Sequence, residues 1–88
     1  MVKLVVYKTV SCTQCASFIR KLQGVCEEEG FVLEVKDAEE ADVNISTVPT
    51  TVLYSEVEPP NVFPGIFNVN QIIEECIRIE ELESDRIS

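Results

Sequence analysis

The chain has 88 residues, enough for one domain and too few for two. It carries a net charge of −9 and no histidine. The charge argues against nucleic-acid and anionic-membrane partners, and the missing histidine excludes Ser-His-Asp and Cys-His nucleophile pairs and mixed Cys/His zinc sites. Four cysteines are too few for a disulfide scaffold. No apolar run reaches the ~18 residues of a membrane span. A cytoplasmic location is expected, where a close cysteine pair serves catalysis or metal binding more often than structure. The charge is uneven: residues 1–36 hold five cations against four acids, and residues 37–88 hold two cations against twelve acids.

Val2–Tyr7 is a short β-branched apolar run, the pattern of a strand buried on both faces. Cys15, Phe18, Ile19, Leu22 and Cys26 then recur at helical spacing, with Ser11 as the expected N-cap and Gly30 as the stop. Phe31–Val35 alternates as a second strand, which a helical crossover sets parallel to the first. The acidic stretch 37–44 has room for about two helical turns at most. Thr51–Tyr54 and Asn61–Phe63, separated by Pro59-Pro60, read as an antiparallel hairpin closed by Pro64-Gly65. Asn68 and Gln71 have capping-box spacing before a last helix striped by Val69, Ile72, Ile73, Cys76 and Ile77. In that helix Arg78 is expected to pair with Glu74, and residues 83–88 to form a frayed tail. Residues 1–88 thus read as a single α/β domain of order β-α-β, short helix or loop, β-β-α, with one mixed sheet and helices against its faces.

Cys12 and Cys15 sit three apart at the strand-to-helix junction, so their sulfurs can come within bonding reach. Cys12 is at the tip and Cys15 begins the buried stripe. Disulfide exchange uses that asymmetry, an accessible attacking thiolate and a shielded resolving thiol. Without histidine, activation falls to the unpaired N–H groups and positive end of the helix, with Lys8 as a second source of positive potential. A zinc half-site and a pair of structural thiols are the alternatives. Zinc needs two more ligands, and Cys26 lies ~16 Å down the same helix from Cys15 at 1.5 Å per residue. Cys26 and Cys76 fit core packing, and no metal site is expected.

Cys12-Thr13-Gln14-Cys15 after a buried strand, the segment Ile45 to Tyr54 with Thr47-Val48-Pro49 at its centre, and Gly65 before a capped helix resemble the thioredoxin superfamily over nearly the whole chain. The resemblance implies a minimal thioredoxin-like fold with a central four-stranded mixed sheet. It implies that Cys12 attacks and Cys15 resolves, working as a redox-active disulfide with no bound cofactor. It also implies a cis Val48–Pro49 bond lying against the pair. Thr47, Val48, Pro49, Thr13, Gln14 and Gly65 would form the substrate-binding groove, with Val48 offering main-chain hydrogen bonds to an extended substrate and Gly65 allowing close backbone approach. The thioredoxin Trp-Cys-Gly-Pro-Cys signature is altered: Ser11 replaces the Trp, Thr13-Gln14 replaces Gly-Pro, and Val6 stands where a buried Asp is expected. Thr47-Val48-Pro49 is similar to glutaredoxins, whose Cys-Pro-Tyr-Cys and Gly-Gly pair are not present. Gln14 before Cys15 resembles the small glutaredoxin-like electron donors of ribonucleotide reductase. The expected partners are protein disulfides, with a thioredoxin reductase or glutathione as electron source, and a monomer is expected. The alternative function is a non-catalytic thioredoxin-fold binding module.

Overall fold

A computed structural model describes residues 2–10, 12–41 and 44–87. The elements are β1 (Lys3–Lys8), α1 (Thr13–Glu29), β2 (Val32–Asp37), a single 3-10 turn (Ala38–Glu40), β3 (Thr50–Tyr54), β4 (Asn61–Pro64) and α2 (Val69–Ile87). They form one four-stranded mixed sheet of order β2-β1-β3-β4. β1 is parallel to β2 and antiparallel to β3, and β3 is antiparallel to β4. This is the minimal thioredoxin-like α/β architecture.

Register sorts the side chains into two faces, because successive strand residues point to opposite sides. Leu33 and Val35 of β2, Leu4 and Val6 of β1, Thr51 and Leu53 of β3, and Asn61 and Phe63 of β4 share one face. Both helices pack there. Cys15, Phe18, Ile19, Leu22 and Cys26 of α1 and Val69, Ile72, Ile73, Cys76 and Ile79 of α2 join Leu4, Val6, Leu53 and Phe63 in the main core. The apolar cluster on the other face is smaller: Val5, Tyr7 and Val52, covered by Ala38, Ala41 and Ile45, with Tyr54 beside them. Its polar tie is the Tyr7–Tyr54 hydroxyl bond at 2.9 Å. The expected placement of helices against both faces is therefore corrected. Among the described residues the connection after β2 makes one 3-10 turn, capped by Asp37 Oδ1 accepting from the Glu39 N–H at 3.0 Å, and covers this face through Ala38, Ala41 and Ile45.

Other expectations shift for local reasons. β2 begins at Val32 and runs to Asp37, because Lys36 and Asp37 complete the ladder with Tyr7 and Lys8 despite their polarity. In α2 the buried stripe takes Ile79, which is fully buried, whereas Ile77 is 39% exposed. Ile72, Cys76 and Ile79 fall at i, i+4 and i+7, the true inward line. Arg78 pairs with Glu75 at 2.8 Å, not with Glu74, and also grips both oxygens of Glu58 at 2.9 and 3.1 Å, tying α2 to the β3–β4 connection. The helix continues to Ile87, past the Glu83 point where a frayed tail was expected to begin. Gly30 ends α1 at φ 77°, a conformation costly for residues with a Cβ, and the Gly30 and Phe31 N–H groups both donate to the Cys26 carbonyl.

Candidate active site

Three chain segments converge on one end of the sheet. β1 leaves the ladder after Lys8 and reaches Cys12 within four residues. Thr50 is the first residue of β3 and pairs with Tyr7 on one side and Pro64 on the other. Val48–Pro49 therefore enters, and Gly65 leaves, beside the point where β1 turns toward the cysteines. Cys12 and Val48 both pack at the edge of the main core.

Cys12 occupies the N-cap of α1 (φ −84°, ψ 100°), its N–H donates to the Thr9 carbonyl at 3.2 Å, and no side chain caps the helix. Nor is there an acidic residue in the first turn. Cys12 thus stands at the positive end of a 17-residue helix, with no carboxylate in the first turn to compete for its free N–H groups. The residue expected as N-cap, Ser11, lies outside the described residues. Cys12 and Cys15 are joined as a disulfide across a Cα separation of 5.4 Å. Cys12 is half-buried and Cys15 is 1% exposed, so an incoming sulfur meets Cys12 first. Lys8 lies on the helix-facing side of β1, half-buried, at the same end.

Cys26 and Cys76 are free and buried on facing helices. Burial pushes their thiols up to about 11 and about 12, with Cys26 itself and Glu80 and Glu75 adding to the shift at Cys76. Neither is a thiolate near neutrality, whereas Cys12 and Cys15 are joined as a disulfide.

The Val48–Pro49 bond is cis and Pro49 is fully buried. The Thr50 hydroxyl donates to the Thr47 carbonyl at 2.6 Å, pinning the loop that presents Val48. Thr13 and Gln14 are exposed and line a groove of about 860 Å³ between α1 and the segment leading into α2, together with Lys21, Phe18, Ile66 and Asn68. Thr47, Val48, Pro49 and Gly65 are not part of that groove's lining, so the expected substrate-binding residues divide into two sets around the cysteines. Gly65 adopts φ 72° with open space where a Cβ would stand, so its conformation is what calls for glycine. Sequence reasoning passed over Val10, 96% exposed two residues before Cys12, and Ile66, 58% exposed after Gly65. Large apolar side chains in short polar connections, outside any helical or strand period, were the available signal.

No family model and no curated protein sequence matches the chain. Solved structures do. Thioredoxin 1 from the thermophilic eubacterium Thermosipho africanus superposes with a TM-score of 0.71 at 22% identity, covering 93% of this chain and 98% of that one. Chloroplastic thioredoxin z gives 0.71 at 26% identity, covering 92% and 80%. Fasciola hepatica thioredoxin gives 0.70 at 17% identity, covering 88% and 79%. By these likenesses the chain has a thioredoxin-like fold, with the spaced pair Cys12–Cys15 at the head of α1.

Proposed function

We propose that the protein is a thiol-disulfide oxidoreductase that reduces protein disulfides through the Cys12/Cys15 dithiol. The observation that carries this reading is the Cys12–Cys15 disulfide at an uncapped helix N-terminus, with one sulfur accessible and the other buried. In the reduced protein the Cys12 thiolate attacks one sulfur of a substrate disulfide. That bond breaks, a mixed disulfide forms, and the first substrate sulfur leaves as a thiolate. The Cys15 thiolate then attacks the Cys12 sulfur, the Cys12–substrate bond breaks, and the second substrate sulfur departs. The substrate gains two electrons and two protons, and the protein is left as the Cys12–Cys15 disulfide.

Val48 supports the substrate-binding half of the reading. Its half-buried position beside the pair leaves a main-chain edge for an extended polypeptide, while Val10 and Ile66 offer exposed apolar contact on either side of Cys12 in the sequence. Electrons return from a thioredoxin reductase or from glutathione, and Gln14 before Cys15 favours ribonucleotide reductase among the protein acceptors. No helix is long and apolar enough to cross a membrane. A cytoplasmic monomer is the form in which this exchange is expected to run.

In a protein-disulfide reduction assay driven by dithiothreitol, Cys12→Ser abolishes turnover and Cys15→Ser accumulates a mixed disulfide on Cys12. Undiminished turnover in Cys12→Ser sinks the reading and leaves a binding module. Parallel assays with thioredoxin reductase and with glutathione plus glutathione reductase identify the electron source.

A further inference from the structure

Thr51 holds a buried hydroxyl with no hydrogen-bond partner, on the helix-facing side of the sheet near the end from which β1 leads to Cys12. Register places Val35, Val6, Thr51 and Phe63 in one row across the helix-facing side of the sheet. It is the last row before the half-buried Lys8 and Asp37, beyond which β1 turns toward Cys12. α1 starts at Thr13 and must run back along the sheet to return the chain to the start of β2. Its first inward residue, Cys15, therefore sits over this end, in the same core as Val6 and Phe63. Thr51 is the one polar side chain of the row. It is 0% exposed and its Oγ1 has no hydrogen-bond partner, whereas the neighbouring Thr50 hydroxyl is bonded at 2.6 Å. A valine of the same shape would remove that orphan, so the hydroxyl is a net cost to the oxidised fold.

The cost has a use once the disulfide opens. A disulfide sulfur is a poor acceptor, so the hydroxyl stands idle while Cys15 is bonded to Cys12. When Cys12 is taken up in a mixed disulfide, Cys15 is released as a thiol in an apolar site where burial works against its thiolate. Among the described residues, the helix-facing strand positions around it carry no charge except Lys8 and Asp37 one row out, and the helix stripes contribute only the thiols Cys26 and Cys76. Val6, across the ladder from Thr51, has no proton to give or take.

We propose that the Thr51 hydroxyl is the hydrogen-bond donor to the Cys15 sulfur in the opened state and so sets how fast Cys15 resolves the mixed disulfide. The assignment rests on the dithiol reading above. Donation by Thr51 favours the charged sulfur, which attacks the Cys12 sulfur. The Cys12–substrate bond breaks, the electron pair leaves on the substrate sulfur, and that sulfur takes up the proton that Cys15 had given to solvent.

The test mixes reduced protein with the chromogenic disulfide 5,5′-dithiobis(2-nitrobenzoate) in a stopped-flow instrument between pH 5 and 10. Attack by Cys12 releases a first equivalent of chromophore and resolution by Cys15 releases the second. The expected result is that Thr51→Val leaves the first phase unchanged, slows the second about tenfold at pH 7, and raises its pH midpoint by about one unit. Thr51→Ser, which keeps the hydroxyl, restores both values. Thr51→Ala repeats the loss if the valine packs badly. A merely structural role would move the melting temperature without moving the midpoint. A second phase in both Thr51→Val and Thr51→Ala with the wild-type midpoint overturns the assignment while leaving the dithiol reading intact. If the wild-type protein releases no second equivalent, the dithiol reading fails and the Thr51 assignment falls with it.

Discussion

The proposed dithiol chemistry has the Cys12 sulfur activated by the uncapped start of α1, and on that reading a charge placed in the first turn moves its titration. Thr13 is exposed and carries no acidic neighbour in that turn, which makes Thr13→Glu a clean perturbation. Adjacent Cα atoms are about 3.8 Å apart, putting a carboxylate on residue 13 roughly 6 Å from the Cys12 sulfur. With an effective dielectric of about 40, between the values for a protein surface and for water, the repulsion of two unit charges there is about 1.4 kcal/mol. That corresponds to about one pKa unit. The rate of iodoacetamide alkylation against pH, in a Cys15→Ser background where Cys12 cannot form its disulfide, reads the titration directly. The unsubstituted background should show a midpoint in the range ~3.5–7.5 of helix-activated cysteines. Thr13→Glu should raise it by about one unit and Thr13→Lys lower it by a similar amount. At 1 M salt, where the Debye length is about 3 Å, both displacements should shrink. A midpoint near ~8.5 in the background, unmoved by either substitution, refutes activation by the helix terminus.

The register of α2 is tested by Ile79→Ala against Ile77→Ala. Ile79 is fully buried and its truncation should cost about 2–5 kcal/mol, whereas Ile77, 39% exposed, should cost no more than about 1 kcal/mol. For a chain of 88 residues each kcal/mol lowers the melting temperature by about 5 °C, so thermal melts should separate the two variants by about 5 °C or more, and equal melts contradict the placement. The buried thiols make stability fall at alkaline pH. Their folded values, about 11 and about 12, lie above the unfolded value of ~8.5, so the contribution is complete below pH ~8.5 and is lost as pH rises through 11. Guanidinium unfolding at pH 8 and pH 11 should show a steeper loss in the wild-type chain than in a Cys26→Ala/Cys76→Ala variant. Equal losses would mean that the thiols are not buried as described.

Much of this architecture is written in local periodicity. β1 reads as buried on both faces because it is central and its two faces meet different covers. The α1 stripe is an unbroken helical line, and all five of its residues are buried. The cysteine pair was legible because a spacing of three at a strand-to-helix junction is itself a geometry. What escaped depends on neighbours distant in sequence. Ile77 and Ile79 are equally apolar, and only the packing of α2 on the sheet selects Ile79. The Arg78–Glu58 pair links residues twenty apart, beyond the reach of any helical rule. Thr51 looks like an ordinary strand threonine until the register sets it in a row of Val35, Val6 and Phe63. The thin cover of the second face follows from the short acidic stretch 37–44, but which side of the sheet that stretch covers depends on packing that no local pattern carries.

The central claim is that Cys12 and Cys15, and not Cys26 and Cys76, exchange electrons with a protein disulfide. Fully reduced protein should be mixed with a single equivalent of a disulfide-bonded protein substrate, quenched with an alkylating agent under denaturing conditions, and mapped by peptide mass spectrometry. The account predicts that the peptide bearing Cys12 and Cys15 loses two hydrogen atoms and escapes alkylation as one substrate disulfide is reduced, while Cys26 and Cys76 are alkylated in full. Substrate reduction with Cys12 and Cys15 still alkylated, or a disulfide formed through Cys26 or Cys76, would contradict it.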